Sequence, residues 1–283
     1  MNPIFITHAN CNDGKWSAVI ASMFYGEGNV EIVYAVYHSN PPDVTGRDVV
    51  IADFSYSREV LLDMHDKANT LIVLDHHASS AEDLEGLDFC IFDMNHSGAV
   101  LTWLHFYPDQ EVPKILLHVQ DHDLWRFEMP DTKAIVQGMW LNTDLSFDVS
   151  DLKKSGGASN LDKYRDDGTI LLLKQDIEIP KIAKKAHSIR IGGHVVPAVN
   201  SNTYISELGN VLSDNTLFAV VYQIVDADHV SLSFRSRYGS QEQALDVSKI
   251  AAQFGGGGHK AAAGGVTSLA ILLLMCKWAE RLE

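Results

Sequence analysis

The stretch TLIVLDHHASS, residues 70–80, joins a run of apolar residues directly to an acid and two histidines. Its apolar part is continuous rather than alternating, which is typical of a strand buried on both faces of a parallel sheet. A buried polar group without a hydrogen bond costs about 1–3 kcal/mol, so Asp75, His76 and His77 require partners. The stretch therefore predicts a buried parallel strand that ends in a functional site.

The sequence on either side repeats this pattern. The run IFIT, residues 4–7, leads into His8, and VVIA, residues 49–52, leads into Asp53, while amphipathic segments such as 58–68 separate the apolar runs. This alternation predicts an α/β domain with a mostly parallel sheet and flanking helices. Because such sheets bind ligands at the carboxyl ends of their strands, we predict that these strand ends share one site.

A further contribution comes from LLHVQDHDLWRF, residues 116–127, where a helical apolar pattern ends in Asp121, His122 and Asp123. Asp121 or Asp123 can instead cap a helix or lie in a turn. Taken with the strand ends, the pattern favours a metal ligand, which we assign to Asp121. The predicted ligands are two imidazoles and three carboxylates, from His8, Asp13, Asp53, His76 and Asp121.

This donor set suits manganese or magnesium, and also zinc, cobalt or iron. A carboxylate such as Asp53 can bridge two ions about 3.5–4 Å apart, which stabilise the attacking and leaving oxygens of a phosphoester during hydrolysis. The nucleophile is then a water of lowered pKa, so no side chain has to attack. The predicted chemistry is metal-dependent phosphoester hydrolysis.

The pattern changes after the polar, Gly/Ser-rich residues 151–168 and a helical segment, residues 169–186. We predict a first domain, residues 1–186, that contains this insertion and connecting helix. A smaller α+β domain, residues 187–283, follows, with a cleft between the two.

Two features of the second domain suit a phosphate. In FGGGGHKAAAGG, residues 254–265, the glycines before His259, including Gly257 and Gly258, let backbone amides approach an anion; a flexible turn is the alternative. Arg235 and Arg237 alternate on a strand and share one face, where they can clamp phosphate oxygens.

Composition limits the partners. A net charge of -15 argues against a protein that holds long duplex nucleic acid by counterion release, although a metal-loaded site can still attract phosphate. The cysteines Cys11, Cys90 and Cys276 are odd in number and lack metal-finger spacing, which fits a reducing cytoplasm. We see neither a signal peptide nor an apolar run of the roughly 20 residues that a membrane span needs. We therefore expect a cytoplasmic protein without a membrane partner.

The motifs LDHHASS and GGGGH, in this order and about 180 residues apart, resemble those of DHH-family phosphoesterases with a C-terminal DHH-associated domain. The order and spacing are similar to the nano-RNase and single-strand exonuclease branch, and the resemblance covers nearly the whole chain. In the first motif, HANCNDGKWS, residues His8, Asp13, Gly14 and Ser17 match.

The later motifs of the family fall on Asp53, on Asp75 to His77, and on Asp121. The resemblance implies that His76 is a ligand supported by Asp75, that His77 lies near the phosphate, and that His76, His77 and Asp53 act in catalysis. It further implies that Arg235 and the glycine loop with His259 hold the substrate. One departure concerns a carboxylate of the family's first motif, because Cys11 or Lys15 stands in its place, depending on the alignment. The choice between one bound ion and two therefore stays open, as does a contribution from Asn10, Cys11 or Asn12.

The resemblance implies a phosphodiesterase that uses Mn²⁺, with Mg²⁺ or Co²⁺ as alternatives, on short single-stranded oligonucleotides or dinucleotides. A homodimer is one expected assembly. The alternatives are a 3'-phosphoadenosine 5'-phosphate phosphatase, an exopolyphosphatase or pyrophosphatase, and a catalytically weakened nucleotide-binding module.

Overall fold

The structure, a computed structural model, describes residues 2–36, 39–141, 152 and 160–280. The chain forms two compact units, Met1–Leu172 and Leu173–Glu283. The division falls inside a long helix, whereas our predicted boundary, between residues 186 and 187, lies just after that helix and stays a prediction. No helix in the described ranges is long and apolar enough to cross a membrane.

The first unit contains a parallel sheet. Its strands are β1 (Ile4–His8), β2 (Glu31–Ala35), β3 (Asp48–Ala52), β4 (Thr70–Asp75) and β5 (Cys90–Phe92). They lie in the order β2-β1-β3-β4-β5, and all neighbouring strands are parallel. The order changes direction between β1 and β3, which is the point where open α/β sheets form their ligand sites. The predicted α/β class is confirmed.

Helices cover both faces of this sheet, as the continuous apolar runs predict. They are α1 (Asn12–Tyr25), α2 (Arg58–Lys67), α3 (Ala78–Asp83), α4 (Gly98–Phe106), α5 (Lys114–Asp123) and α6 (Thr132–Met139). On one face Ile6 and Ile51 pack with Leu61 of α2. On the other, Phe5 packs with Leu101 of α4. The strands are therefore buried on both sides, and their polar groups gather at the carboxyl ends.

Helix α7 (Leu161–Ala183) links the two units in sequence. It begins earlier than the predicted connecting helix, inside the region expected to be a polar insertion; residues 151 and 153–159 of that region lie outside the described residues. Near its start, Tyr164 is buried against the core formed by Trp16 and Trp103. Near its end, Ile179 packs with Val199 and other apolar residues of the second unit.

The second unit is built on a mixed sheet with the order β10-β11-β9-β8-β7-β6. Its strands are β6 (His187–Ile191), β7 (His194–Asn200), β8 (Ala219–Ile224), β9 (Val230–Arg235), β10 (Gly257–His259) and β11 (Ala262–Thr267). Its helices are α8 (Ile205–Leu212), α9 (Val247–Ala251) and α10 (Leu269–Glu280). The predicted α+β character is observed. The expected glycine loop differs, because residues 257–259 form a short strand that pairs with β11.

Candidate metal centre

Polar side chains collect at the carboxyl ends of three neighbouring strands of the first unit. His8 ends β1 and Asp53 directly follows β3; Asp75 ends β4 and is followed by His76. Because β1, β3 and β4 are adjacent in the sheet, their ends lie at one edge. The N-terminal turn of α1, which contains Asp13, is brought to the same edge by its short connection to β1.

His76 lies at the centre of one group of carboxylates. Its Nε2 atom is 3.2 Å from Asp53 Oδ1, 3.5 Å from Asp123 Oδ2 and 3.7 Å from Asp13 Oδ2. His76, Asp13 and Asp53 are almost completely buried, whereas the side chain of Asp123 is 30% exposed. The group is therefore a buried cluster that reaches solvent on the side of Asp123.

The second oxygen of Asp53 faces a different pair of groups. Asp53 Oδ2 accepts a hydrogen bond from Cys11 Sγ at 3.0 Å and lies 4.0 Å from His8 Nδ1. The ring of His8 stacks on that of Phe54, with ring centres 6.2 Å apart. The two oxygens of one carboxylate thus point towards two separate sets of potential ligands.

Close backbone packing fixes Asp53 in this position. Asp53 has a left-handed backbone with φ 54°, a conformation that costs free energy for a residue with a side chain and is frequent at functional sites. The start of α4 lies directly against it, since a Cβ atom added to Gly98 would be 2.4 Å from the Cβ of Asp53. Only glycine fits at position 98.

The start of α4 also holds Asp13. The two carboxylate oxygens of Asp13 accept hydrogen bonds from the backbone N–H groups of Gly98, at 2.5 Å, and Ala99, at 2.9 Å. The N-terminus of a helix has unpaired N–H donors and a partial positive charge, and it stabilises a carboxylate. Asp13 is therefore fixed in place before any cation binds.

The electrostatics of the cluster show an excess of negative charge. Burial, together with the carboxylates of Asp53 and Asp123, raises the pKa of Asp13 well above its usual value. Burial acts to lower the pKa of His76, but the hydrogen bond to Asp53 and the charges of Asp123 and Asp13 raise it to about 10. Both shifts favour the protonated forms, so the buried cluster favours added positive charge. A divalent cation would compensate the same charges, and carboxylate and imidazole donors suit one, so the residues fit a metal site.

Asp75 supports the neighbouring loop rather than the metal group itself. It is fully buried, and its carboxylate accepts hydrogen bonds from Ser55 Oγ at 2.6 Å and from the backbone N–H of His76 at 2.8 Å. Its shortest contact to a ring is with His77 Nδ1, at 2.7 Å. Asp75 thus contacts the backbone of His76 and the ring of His77, and its predicted role in supporting His76 stays a prediction.

The structure also places Asp121 away from the cluster. Its carboxylate accepts hydrogen bonds from the backbone N–H groups of Glu128 and Met129 and from Thr132 Oγ1, at 2.6–3.1 Å. Asp123 takes the position that we had predicted for Asp121. Successive helical residues are about 100° apart, so two acids at i and i+2 point in different directions, and the sequence did not indicate which one faces the strand ends.

The phosphate-binding residues predicted in the second unit have partners within that unit. The guanidinium of Arg235 donates hydrogen bonds to Ser206 Oγ at 2.9 Å and to Ser233 Oγ at 3.2 Å. Arg237 forms an ion pair with Asp214, so the two guanidinium groups have different partners. Gly257, Gly258 and His259 are half-buried in β10. Their role in holding substrate stays a prediction.

Two known proteins are similar to this chain over part of their length. No protein-family model matches the chain. It is 30% identical over 282 residues to Uncharacterized protein R106 of Acanthamoeba polyphaga mimivirus. The aligned region covers 92% of this chain and 66% of that protein. It is also 31% identical over 154 residues to Oligoribonuclease NrnB of Bacillus subtilis (strain 168). That aligned region covers 52% of this chain and 37% of NrnB. The chain thus spans only part of the length of both relatives.

Solved structures are similar in fold. The pGpG-specific phosphodiesterase PggH from Vibrio cholerae matches with a TM-score of 0.52 at 12% identity, over 99% of both chains. RecJ from Thermus thermophilus, solved in complex with Mn²⁺, matches with a TM-score of 0.52 at 13% identity, over 99% of this chain and 52% of RecJ.

Both structures have the fold of the DHH-family phosphoesterases. The chain has this fold, and the resemblance to that family drawn from its sequence motifs is confirmed.

Proposed function

We propose that the chain is a metal-dependent phosphodiesterase that hydrolyses short oligonucleotides or dinucleotides to mononucleotides. The observation that carries this proposal is the group of three carboxylates, Asp13, Asp53 and Asp123, within 3.7 Å of His76 Nε2 at the ends of parallel strands. The names of two similar proteins support it, because one is an oligoribonuclease and the other a pGpG-specific phosphodiesterase. At the coarser level, the same comparisons support a phosphoesterase that acts on nucleotides or nucleic acids.

Asp13, Asp53, His76 and Asp123 would hold the cation, for which Mn²⁺ is our first candidate and Mg²⁺ or Co²⁺ the alternatives. When bound, such a cation lowers the pKa of a water and stabilises negative charge on phosphoryl oxygens. The carboxylates of Asp13 and Asp53 supply the geometry, since hydrogen bonds from the start of α4 hold Asp13 and close backbone packing holds Asp53, so neither needs a large rearrangement.

His77 is our candidate for the contact with a phosphate oxygen. Its ring lies 4.6 Å from that of His76, centre to centre, and its Nδ1 is fixed by Asp75. Burial acts to lower the pKa of His77, but the charge of Asp75 and the hydrogen bond to it raise that pKa above its usual value. The raised pKa favours the imidazolium form of His77, which donates a charge-assisted hydrogen bond that is stronger than a neutral one.

An aromatic group after α5 favours a substrate that carries a nucleobase over pyrophosphate or polyphosphate. Trp125 is 38% exposed, and its ring lies 4.8 Å from that of Phe127. Both residues have left-handed backbones, and Asp123 is only two residues away in sequence. Stacking of a base on an aromatic side chain is worth about 1–3 kcal/mol. The net charge of -15 further favours short substrates, because long ones are held mainly by basic surfaces.

The test is a turnover assay on a linear dinucleotide, a five-nucleotide RNA, 3'-phosphoadenosine 5'-phosphate, pyrophosphate and a long single strand, each with Mn²⁺ and with chelator. We expect chelator-sensitive release of mononucleotides from the short oligomers. His76→Ala and Asp53→Asn should lower turnover by at least about 100-fold, whereas Asp109→Asn, at an exposed acid of the same unit, should not.

Absence of hydrolysis across the panel by a protein that binds Mn²⁺ would refute the enzymatic proposal. It would instead support a nucleotide-binding module. Release of phosphate from 3'-phosphoadenosine 5'-phosphate alone would replace the diesterase with a monoesterase.

A further inference from the structure

The thiol of Cys11 lies among potential metal ligands. Cys11 precedes α1 as its N-cap residue, and its Sγ atom is 3.0 Å from Asp53 Oδ2. The ligating atoms of His8, Cys11 and Asp53 all lie within 4.8 Å of one another. Metal–ligand bonds of about 2.0–2.3 Å in a tetrahedral site place the ligand atoms roughly 3.3–3.8 Å apart. Small side-chain rotations would therefore bring the three atoms onto one cation.

This group is distinct from the one around His76, although the two share Asp53. Oδ1 of Asp53 faces His76 Nε2 at 3.2 Å, while Oδ2 faces Cys11 and His8. A carboxylate with each oxygen directed at a different set of donors is arranged to bridge two cations, as in two-metal hydrolytic sites.

Helix capping alone does not account for a cysteine at this position. Sγ of Cys11 accepts a hydrogen bond from the backbone N–H of Gly14 at 3.2 Å. Serine, threonine, aspartate and asparagine are the preferred N-cap residues, and a thiol sulfur is only a weak acceptor. What cysteine adds here is a soft donor beside the carboxylate of Asp53.

We propose that Cys11 binds a metal ion as a thiolate, together with His8 and Asp53, and that this position prefers Zn²⁺, Co²⁺ or Fe²⁺ to Mg²⁺. The inference rests on the metal centre of the proposed function. Thiolate and imidazole donors select borderline cations, whereas the oxygen-rich group around His76 suits Mn²⁺ or Mg²⁺. When the cation binds, the sulfur–metal bond forms as the thiol proton passes to solvent. No oxidation is involved.

The experiment is a Co²⁺ titration of the full chain and of Cys11→Ser, Cys11→Asp and the control Cys90→Ser, followed by absorption spectroscopy. Serine keeps a capping oxygen, and aspartate supplies a hard carboxylate. We expect a sulfur-to-cobalt charge-transfer band in the wild type and in Cys90→Ser, and none in either Cys11 variant. Zn²⁺ affinity, measured by competition with a chelating dye, should fall in Cys11→Ser by at least about 10–100-fold. That is the typical loss when a residue that only supports a metal ligand is removed, and a direct ligand should contribute no less.

A second measurement needs no substitution. Zn²⁺ should slow the alkylation of Cys11 in the wild-type protein, detected by mass spectrometry, and leave that of Cys90 unchanged. If Co²⁺ binds without a thiolate band and Cys11→Ser keeps the wild-type Zn²⁺ affinity, the role of Cys11 is overturned while the metal centre stands. If the wild type binds neither Co²⁺ nor Mn²⁺, both the inference and the proposed function fail.

Discussion

The two acids at the end of α5 are expected to respond to the same substitution in opposite ways. Asp121 is buried and accepts hydrogen bonds from Glu128 N, Met129 N and Thr132 Oγ1 at 2.8, 3.1 and 2.6 Å. In Asp121→Asn one oxygen becomes an NH₂ group, so at least one donor loses its acceptor and faces another donor. Hydrogen bonds to a charged group contribute about 1.5–3 kcal/mol each, so we expect a loss of about 2–4 kcal/mol in the free energy of unfolding.

For a folding unit of this size, each 1 kcal/mol lowers the Tm by about 2–4 °C. Asp121→Asn should therefore lower the Tm of the metal-free protein by about 4–16 °C. Burial acts to raise the pKa of Asp121, but its hydrogen bonds lower it. Its stabilising contribution is thus present above the unfolded-state pKa of about 3.9 and is lost as the pH falls through the lower folded-state value. The difference in stability between the variant and the wild type should shrink below about pH 4.

Asp123→Asn should leave the Tm in chelator almost unchanged. The Asp123 side chain is 30% exposed, and removing its charge relieves repulsion from Asp13 and Asp53 while weakening the attraction to His76. Mn²⁺ affinity and turnover should nevertheless fall by about 100-fold. The assays are differential scanning calorimetry with chelator, Mn²⁺ titration calorimetry and dinucleotide hydrolysis. Loss of Mn²⁺ binding in Asp121→Asn at an unchanged Tm, with normal binding in Asp123→Asn, would refute this assignment.

Three further predictions concern the same unit. In the metal-free protein the pKa of His76 is about 10, so Mn²⁺ binding should release a proton, and the affinity for Mn²⁺ should increase as the pH rises. Titration calorimetry in buffers of different ionisation enthalpy measures the proton release, and equal binding heats in all buffers would contradict the prediction. Gly98→Ala would place a Cβ atom 2.4 Å from that of Asp53, so we expect a loss of about 1–3 kcal/mol in the free energy of unfolding. If Asp53 is displaced by about 1 Å, kcat should fall by about 100-fold. An unchanged kcat would show that Asp53 tolerates the shift. Trp125→Ala should raise KM for a dinucleotide but not for a phosphodiester without bases, with Trp140→Ala as the control, and equal effects on both substrates would exclude stacking.

The strand ends of the first unit were predictable because the signal is local. A continuous apolar run followed at once by His8, Asp53 or His76 indicates both a buried strand and the polar residue at its carboxyl end. Parallel strands of one sheet then necessarily bring these ends to one edge. The α/β class and the gathering of His8, Asp53 and His76 follow from that regularity.

The choice between Asp121 and Asp123 was not predictable, because it depends on residues that a one-dimensional pattern does not connect. Asp121 is turned away from the cluster by donors from residues 128–132, which come from the segment after α5 and the first residue of α6. The contacts of Asp75 to Ser55 and to the ring of His77 depend on tertiary structure in the same way.

The sequence by itself determined the fold class and the types of donor present, because apolar periodicity and residue chemistry are properties of the chain. Tertiary structure alone decided how those donors divide. The left-handed backbone of Asp53 and the close approach of α4 at Gly98 direct one carboxylate oxygen to His76 and the other to Cys11 and His8. Such directions depend on packing between segments far apart in the sequence, and for that reason no spacing of residues encodes them.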